Sequence, residues 1–464
     1  MIRLFRHYIP KSLVLLGLAD GTILYLSVFI GVSPPFIEQG PTGKLLVGAL
    51  CPKAFLYMIL MMGMMALVGL YQREMRDDFR GVSLRLGLAV TLGLASLVTI
   101  LYLRPGLTIG GTAMSIALLV SVIGTAGFRM LLFRSSQYDM FKRRILILGA
   151  GVRAQQAEML TGGADDQEIS VLGYVHVRGE SAAVERERRM YVDTTLLELC
   201  TELDIEELVV AIDEDAVEFP VSQILDCKMH GVQVIDLVTF LERQTGRLQL
   251  DALRPGTIVF AEGFIQAILK GYTHRVLDIF LSLFALALAW PIMIVTALAI
   301  LVESGFKGPI LYRQVRVGRR SKPFDIYKFR SMRTDAELDG KPQWARENDS
   351  RITRIGGVLR KTRIDELPQL INVLGGSMSF VGPRPERPEF VESLSESIPY
   401  FELRHTVNPG ITGWAQIRYP YGSTIEDSKQ KLQYDLYYIK NYSLFLDIAI
   451  MIQTAQVVLW GKGR

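Results

Sequence analysis

The stretch RVLDIFLSLFALALAWPIMIVTALAILV, residues 275–302, decides how the chain is organised. It is long and apolar enough to cross a bilayer, which takes about 20 such residues at 1.5 Å each. Yet Pro291 stands in its middle, where it removes a backbone donor and bends a helix. The leg before the proline is about 24 Å long and the leg after it about 17 Å. Neither reaches across about 30 Å of hydrocarbon. Both flanks are basic: Lys270 and Arg275 precede the run, and Lys307, Arg313, Arg316, Arg319, Arg320 and Lys322 follow it. Positive flanks stay on the cytoplasmic side. The sequence therefore predicts a re-entrant helix over 274–302 that enters, kinks at Pro291 and returns, in preference to a kinked crossing.

Upstream, four apolar runs lie near 12–32, 49–71, 83–103 and 110–133, each long enough to span. The first is too long and lies too far into the chain for a signal-peptide core. Arg3, Arg6 and Lys11, then Arg73, Arg76 and Arg80, then Arg134, Lys142, Arg143 and Arg144 make the N-terminus, the second loop and the exit basic. The first and third loops hold only Lys44 and Arg104. Residues 1–141 thus read as four transmembrane helices with both ends in the cytoplasm. Asp20, inside the first run, is expected to make a helix–helix contact. Across 464 residues, 50% are hydrophobic and 21% charged, which disfavours a purely soluble or disordered chain. The 51 basic and 47 acidic residues leave a net charge of +4, which excludes a generally polybasic nucleic-acid binder. The three cysteines, Cys51, Cys200 and Cys227, offer no disulfide framework or zinc spacing.

Residues 142–270 change character. From 151 to 270 there are 22 acidic and 10 basic residues. A continuous apolar strand from Arg144 runs into Gly149-x-Gly151-x-x-Ala154 and then a helical pattern, the order of a dinucleotide fingerprint. Further strands are expected at Val171–Val175, Leu208–Ile212 and Val232–Ile235, giving a small Rossmann-like parallel α/β domain. No acid stands at the end of the second strand to hold a ribose, so structural use of the fold is favoured over a bound nucleotide. Asp213-Glu-Asp215 reads as a solvated loop.

The last third, 271–464, carries the candidate chemistry. Residues 303–333 hold nine basic against two acidic residues, among them Lys328-Phe329-Arg330, suited to anionic lipid or to phosphate groups. In Arg360-Lys-Thr-Arg363-Ile-Asp365-Glu366-Leu-Pro368, the two acids fall at or near a helix start. There they either hold a hard divalent cation and face a phosphate or are ordinary first-turn acids. Ser379-Phe-Val-Gly382-Pro-Arg384-Pro reads as a rigid loop that either clamps a phosphate with Arg384 or simply turns. Thr412-Gly413-Trp414-Ala-Gln416 offers a hydroxyl, backbone donors and an aromatic face, as a nucleobase site does, or is a turn with a packed Trp. Leu444–Trp460 is too short to cross. It reads as a helix on the membrane surface or against the catalytic core.

Taken in order, the Pro291 helix, Lys328-Phe-Arg330-Ser-Met332, Asp365-Glu366-Leu-Pro-Gln-Leu, Ser379-Phe-Val-Gly-Pro-Arg384-Pro, Pro409-Gly-Ile-Thr-Gly-Trp414-Ala-Gln and Asp435-Leu-Tyr-Tyr438 resemble the bacterial sugar transferase family. These are monotopic polyprenyl-phosphate phosphoglycosyl transferases, and the resemblance covers about 272–464. The four helices and Rossmann-like middle resemble its large members, which start exopolysaccharide or capsule assembly. The resemblance implies a mainly helical monotopic catalytic domain on the cytoplasmic face of the bacterial inner membrane. It implies that Asp365 attacks the β-phosphate of a UDP-hexose, releases UMP, and passes the phospho-sugar to undecaprenyl phosphate. Glu366 with Asp365 would hold Mg²⁺. Arg360 and Arg384, with Arg330, Arg363 and Lys328, would offset the phosphate charge. Glucose or galactose is the expected sugar, and a homodimer is compatible with the assignment. Asn408 departs from the arginine the family often carries there. The competing expectation is a membrane scaffold or nucleotide-sensing protein with an inactive C-terminal site.

Overall fold

The computed structural model describes residues 2–4, 7–9, 11–33, 43–71, 79–135, 142–161, 169–191, 194–213, 219–253, 256, 264, 268–333, 351–420, 422 and 424–459. Arg6, Arg73, Arg76, Asp215 and Trp460 lie outside the described residues, as do the side chains of Arg3, Lys11, Lys44, Arg80, Arg134 and Lys270. Two compact units divide the chain: Tyr8–Phe240 with the first four residues, and Leu241–Arg464 with residues 5–7.

In the first unit, helices Lys11–Gly31, Gly43–Leu67, Phe79–Leu103 and Gly111–Ser135 realise the four apolar runs. The first packs on the second and fourth, and the second on the third. Leu24, Val28, Tyr57, Met61, Met65, Ala89, Leu97 and Ala117 form their shared interior. Hydroxyls within the runs bond back to the preceding turn, as Thr22 to the Leu18 carbonyl and Thr125 to that of Ser121. These bonds satisfy the polar groups inside each helix, as an apolar solvent requires. Asp20 meets Arg129 of the fourth helix at 2.8 Å and accepts from the Tyr71 hydroxyl at 2.9 Å. The buried acid joins helices, as expected.

The same unit holds a five-stranded parallel sheet in the order Arg189–Met190, Ile169–Val175, Arg143–Leu148, Glu207–Val210, Gln233–Asp236. Ile145, Leu146, Ile147 and Leu148 are all buried, as a strand covered on both faces demands. The order reverses beside 143–148, the place where such sheets bind phosphates. Here the chain fills that place itself. The amides of Val152 and Arg153 donate to the two oxygens of Asp213 at 2.8 and 2.9 Å. Glu180 accepts from Ala150 N at 3.0 Å and from Asp213 N at 2.8 Å. Gly149 takes φ +124°, and a Cβ at Gly151 would fall 2.0 Å from Asp213 Oδ2. Asp213 is therefore not a solvated loop residue, because it caps helix Val152–Thr161 across the switch point. Cys200 and Cys227, distant in sequence, meet as buried thiols with sulfurs 4.0 Å apart.

The second unit begins earlier than the expected boundary at 270. Leu248 and Leu250 belong to the core made by Val381, Phe401, Trp414, Leu432, Leu436, Tyr438 and Ile450. Glu242 also pairs with Lys440 at 2.5 Å. Helix Ile268–Glu303 carries Pro291 within it. A hairpin, Leu311–Val317 with Pro323–Phe329, follows. Next come helices Arg354–Thr362 and Gln369–Gly375 and the parallel pair Ser379–Val381 with Gly410–Thr412. Helices Ile425–Lys440 and Leu444–Leu459 close the unit. Leu446 and Ile450 are fully buried, so the last helix packs on the core of this unit.

Asp213→Ala removes an acceptor at a helix start, a loss of about 0.5–2 kcal/mol. Hydrogen exchange at the Val152 and Arg153 amides should quicken, and inorganic phosphate should restore part of their protection. Unchanged exchange in the variant would refute the capping role.

Candidate active site

Asp365 and Glu366 lie in a single 3₁₀ turn, Ile364–Glu366, entered through Arg363 in the left-handed region at φ 60°. Pro368 stands immediately before the first residue of the next helix, Gln369. Leu370 is buried, whereas Ile371 faces outward and Gln369, Asn372 and Val373 turn inward. Asn372 explains the inward polar face. Its side-chain oxygen accepts from Tyr327 N at 3.0 Å and its amide donates to the Asp325 carbonyl at 2.7 Å. This amide ties the helix after the acids to the strand that carries Lys328.

Both acids are only 9% exposed, but their surroundings differ. Glu366 Oε1 accepts from Lys328 Nζ at 3.0 Å and Arg384 Nη2 at 2.8 Å, and Arg363 lies 3.7 Å from Oε2. Burial alone would raise the Glu366 carboxyl, but Arg384, Lys328 and Arg363 together outweigh it and hold the group well below the usual carboxylate range. Asp365 accepts no hydrogen bond among the described residues. Burial, then the neighbouring Glu366 charge, push its pKa up, and Lys328, Arg360 and Arg384 offset this only in part. Burial lowers the Lys328 ammonium, against the attraction of Glu366. One acid is thus a fixed anchor, and the other is an open, more basic carboxylate.

Arg384 is aimed by its loop. Gly382 N donates to the Thr412 carbonyl, and Gly410 N to that of Pro383, at 2.8 and 2.9 Å. A Cβ at Gly382 would lie 2.4 Å from the Asn408 carbonyl oxygen, so this approach needs glycine. The Arg384 carbonyl accepts from Arg404 Nη2 at 3.0 Å, and Arg404 pairs with buried Asp435 at 2.8 Å. Burial pushes the Asp435 carboxyl up to about 6, with Arg404 acting in the opposite direction. Arg404 was not singled out from the sequence. It lies in no motif, and only the fold brings it beneath the loop.

The expected phosphate set is largely assembled: Lys328, Arg363 and Arg384 surround Glu366, and Arg360 acts on Asp365. Arg360 Nη1 is buried and has no hydrogen-bond partner among the described residues. Arg330 is not brought in, because it points to the Lys307 carbonyl at 3.5 Å. The nucleobase reading of Thr412, Gly413, Trp414 and Gln416 is corrected for Trp414. That ring is 2% exposed, lies between Arg418 at 4.5 Å and Tyr437 at 5.9 Å, and donates to the Gly246 carbonyl. Thr412 bonds Thr454, and Gly413 packs on the Gly382 carbonyl. Gln416 Nε2 alone keeps an unused buried donor in this group. Arg418 lies over the Trp414 ring at 4.5 Å, and the side-chain amide of Asn408 donates to the Gly376 carbonyl at 3.5 Å.

Among the described residues five helices are long and apolar enough to cross a bilayer, which marks a membrane protein, and a buried carboxylate pair is ringed by Lys and Arg. Residues 269–461 match the family described as bacterial sugar transferase. The exopolysaccharide production protein PSS of Rhizobium leguminosarum bv. phaseoli is 43% identical over 41% of this chain and 96% of its own length. The chain belongs to the bacterial sugar transferase family. The UDP-N-acetylgalactosamine-undecaprenyl-phosphate N-acetylgalactosaminephosphotransferase of Aeromonas hydrophila is 40% identical over 51% of this chain. The UDP-glucose:undecaprenyl-phosphate glucose-1-phosphate transferase of Xanthomonas campestris pv. campestris is 46% identical over 40%. The matches span 55% and 38% of those two proteins.

Because Glu366 is depressed in the folded state, its pairing adds stability above its ordinary value of 4.5, and that stability is lost as pH falls through and below it. Glu366→Gln should flatten the acid side of the stability–pH profile. It should also cost about 3–5 kcal/mol at pH 7, the range for removing one partner of a buried pair. Chemical denaturation across pH 3–7 reads both, and identical acid slopes in the two proteins would dismiss the pairing.

Proposed function

We propose that the protein transfers hexose-1-phosphate from a UDP-hexose to undecaprenyl phosphate at the cytoplasmic face of the bacterial inner membrane, the first step of exopolysaccharide assembly. The observation that carries this is the division of labour in the dyad. Glu366 is locked by three cations, while Asp365 beside it is buried, raised in pKa and accepts no hydrogen bond among the described residues.

An anionic nucleophile must approach an anionic diphosphate, so fixed positive charge has to offset the repulsion. Arg360, Lys328 and Arg384 supply it. An Asp365 oxygen attacks the β-phosphorus of the donor as its bond to the bridging oxygen breaks, and UMP leaves with that electron pair. The resulting aspartyl phospho-sugar is then attacked at the same phosphorus by undecaprenyl phosphate. Asp365 is restored, and undecaprenyl diphosphate hexose is formed. A covalent carboxylate intermediate divides one hard transfer into two easier ones. The named activities of the relatives, on UDP-glucose or UDP-N-acetylgalactosamine, fit this donor class.

A divalent cation, Mg²⁺ in this proposal, fits the donor set. Among the described residues Asp365 accepts no hydrogen bond, and Glu366 Oε2 has only the Arg363 contact at 3.7 Å. Such an ion needs no more than one or two carboxylates when phosphates complete its shell. It would neutralise charge on the diphosphate.

The helix Ile268–Glu303 is read as re-entrant because both of its ends rest on the same unit. Near its start, Asp278 bonds Ser379 and Phe380. At its end, Glu303 accepts from Ile355 N at 3.1 Å, and Ile300 packs with Phe329 and Leu359. Between them Phe280, Leu283, Phe284, Leu288, Trp290, Val295 and Leu298 are exposed, an apolar surface suited to lipid. A nucleotide-sensing role is not favoured, since the amides it would use are taken by Asp213.

With UDP-sugars, Mg²⁺ and undecaprenyl phosphate, Asp365→Ala should reduce UMP release by at least about a thousandfold. A hexose-phosphate adduct should be found on the wild-type peptide bearing Asp365, and turnover with no such adduct would end the covalent scheme. A cysteine placed at Ile310 in a cysteine-free background should resist an impermeant maleimide on intact cells. Labelling from outside would mean that the helix crosses.

A further inference from the structure

The apolar helix Ile268–Glu303 carries a polar foot that the transfer scheme above does not use. Asp278 is buried, and its Oδ1 accepts from Ser379 Oγ at 3.0 Å and from Phe380 N at 2.8 Å. One turn earlier, His274 meets Asp447 Oδ2 at 2.6 Å and stacks on Tyr442 at 4.0 Å. The other oxygen of Asp447 accepts from the Tyr438 hydroxyl at 2.9 Å, and that hydroxyl also reaches the Val381 carbonyl at 3.2 Å. Arg275 donates to the carbonyls of Val373 and Leu374 at the end of the helix that follows the dyad. One turn of the membrane helix therefore grips both arms of the site: Arg275 holds the arm bearing Asp365 and Glu366, and Asp278 holds the arm bearing Arg384.

The distance along the chain is short. Arg384 is four residues beyond Phe380, and the path runs through Gly382 and Pro383 and is followed by Pro385. Prolines fix φ near −65°, so a displacement at Phe380 is passed to Arg384 and not absorbed. Arg384 in turn must reach Glu366 at 2.8 Å. A carboxylate accepting from a backbone amide and a hydroxyl, in a site shut off from water, is a stiff constraint. Placing it on a lipid-facing helix costs desolvation, a cost that an anchor of apolar residues alone would avoid.

We propose that Asp278 is a positioning residue for the transfer, holding Ser379 and Phe380 so that Arg384 stays in register on Glu366. This rests on the phosphotransfer reading of the site, and Asp278 itself touches no substrate. The consequence is that the membrane helix is part of the active-site scaffold as well as an anchor.

The test compares the full-length protein with Asp278→Ala, Asp278→Asn, Ser379→Ala, Arg384→Ala and the double variant Asp278→Ala with Arg384→Ala in lipid nanodiscs. UMP-release kinetics and hydrogen exchange are read on each. Misplacing a charged group by about 1 Å can cost about a hundredfold. Asp278→Ala should accordingly lose roughly 10- to 100-fold in kcat with KM for the UDP-sugar changed less than about threefold. Asp278→Asn keeps an acceptor for both donors and should recover most of that loss. The double variant should be no slower than Arg384→Ala alone, because both act through one contact. Amides 380–384 should exchange faster in Asp278→Ala, while those of helix Gln369–Gly375, held by Arg275, should not. Wild-type kcat in Asp278→Ala, or losses that add in the double variant, would overturn the assignment. Should Asp278→Ala fail to fold, Ser379→Ala removes one donor alone, and a kcat loss there with amides 380–384 loosened supports the assignment while neither change refutes it. A wild-type protein that releases no UMP from any UDP-sugar would instead defeat the phosphotransfer reading, leaving the exchange result to judge the grip of Asp278 by itself.

Discussion

Glu366 is a carboxylate held in a buried place by Lys328, Arg384 and Arg363, and much of the second unit exists to bring those groups to it. An isolated buried charge costs several kcal/mol, and a compensated one survives only when its partners are fixed. The partners come from three separate pieces of chain: a hairpin strand, the left-handed residue before the 3₁₀ turn, and a proline-flanked loop. Each piece is itself restrained, by Asn372, by helix Arg354–Thr362 and by the Gly382–Thr412 and Arg404 contacts. Among the described residues the cluster leaves Asp365 buried without a hydrogen-bond partner, and the proposed transfer uses that asymmetry, one acid for bond-making and the other for support.

The same logic, applied to apolar solvent, shapes the helices. Hydroxyls fold back on their own helices, and Asp20 finds Arg129 and Tyr71. Asp278 and His274 are spent on protein partners at the foot of an otherwise lipid-suited helix. A polar group in such a segment is kept where it has a partner and a task. The parallel sheet of the first unit shows a different solution. It keeps the glycine loop of a phosphate-binding fold but supplies the anion from its own Asp213 and Glu180.

Periodicity, length and charge by themselves pointed to the four N-terminal helices, to strands from Arg144 and at 171–175, 208–212 and 232–235, which the structure places at 143–148, 169–175, 207–210 and 233–236, and to the candidacy of Asp365, Glu366 and Arg384. These follow from local rules: apolar runs must be helical in lipid, β-branched runs between turns make strands, and Pro and Gly fix loops. Only the tertiary structure decided what touches what. The sequence left Trp414 open between a face for a base and a packed core ring, and the structure buries it, because a ring's fate depends on which faces Arg418 and the chain-distant Tyr437 and Gly246 cover. Asp213 looked solvated and is a cap, since its partners lie 60 residues back across the sheet. Residues 241–253 looked like part of the middle domain and pack on the catalytic core. Arg404, Asp278 and Asn372 act through chain-distant hydrogen bonds, and no spacing rule records a contact between segments that meet only after folding.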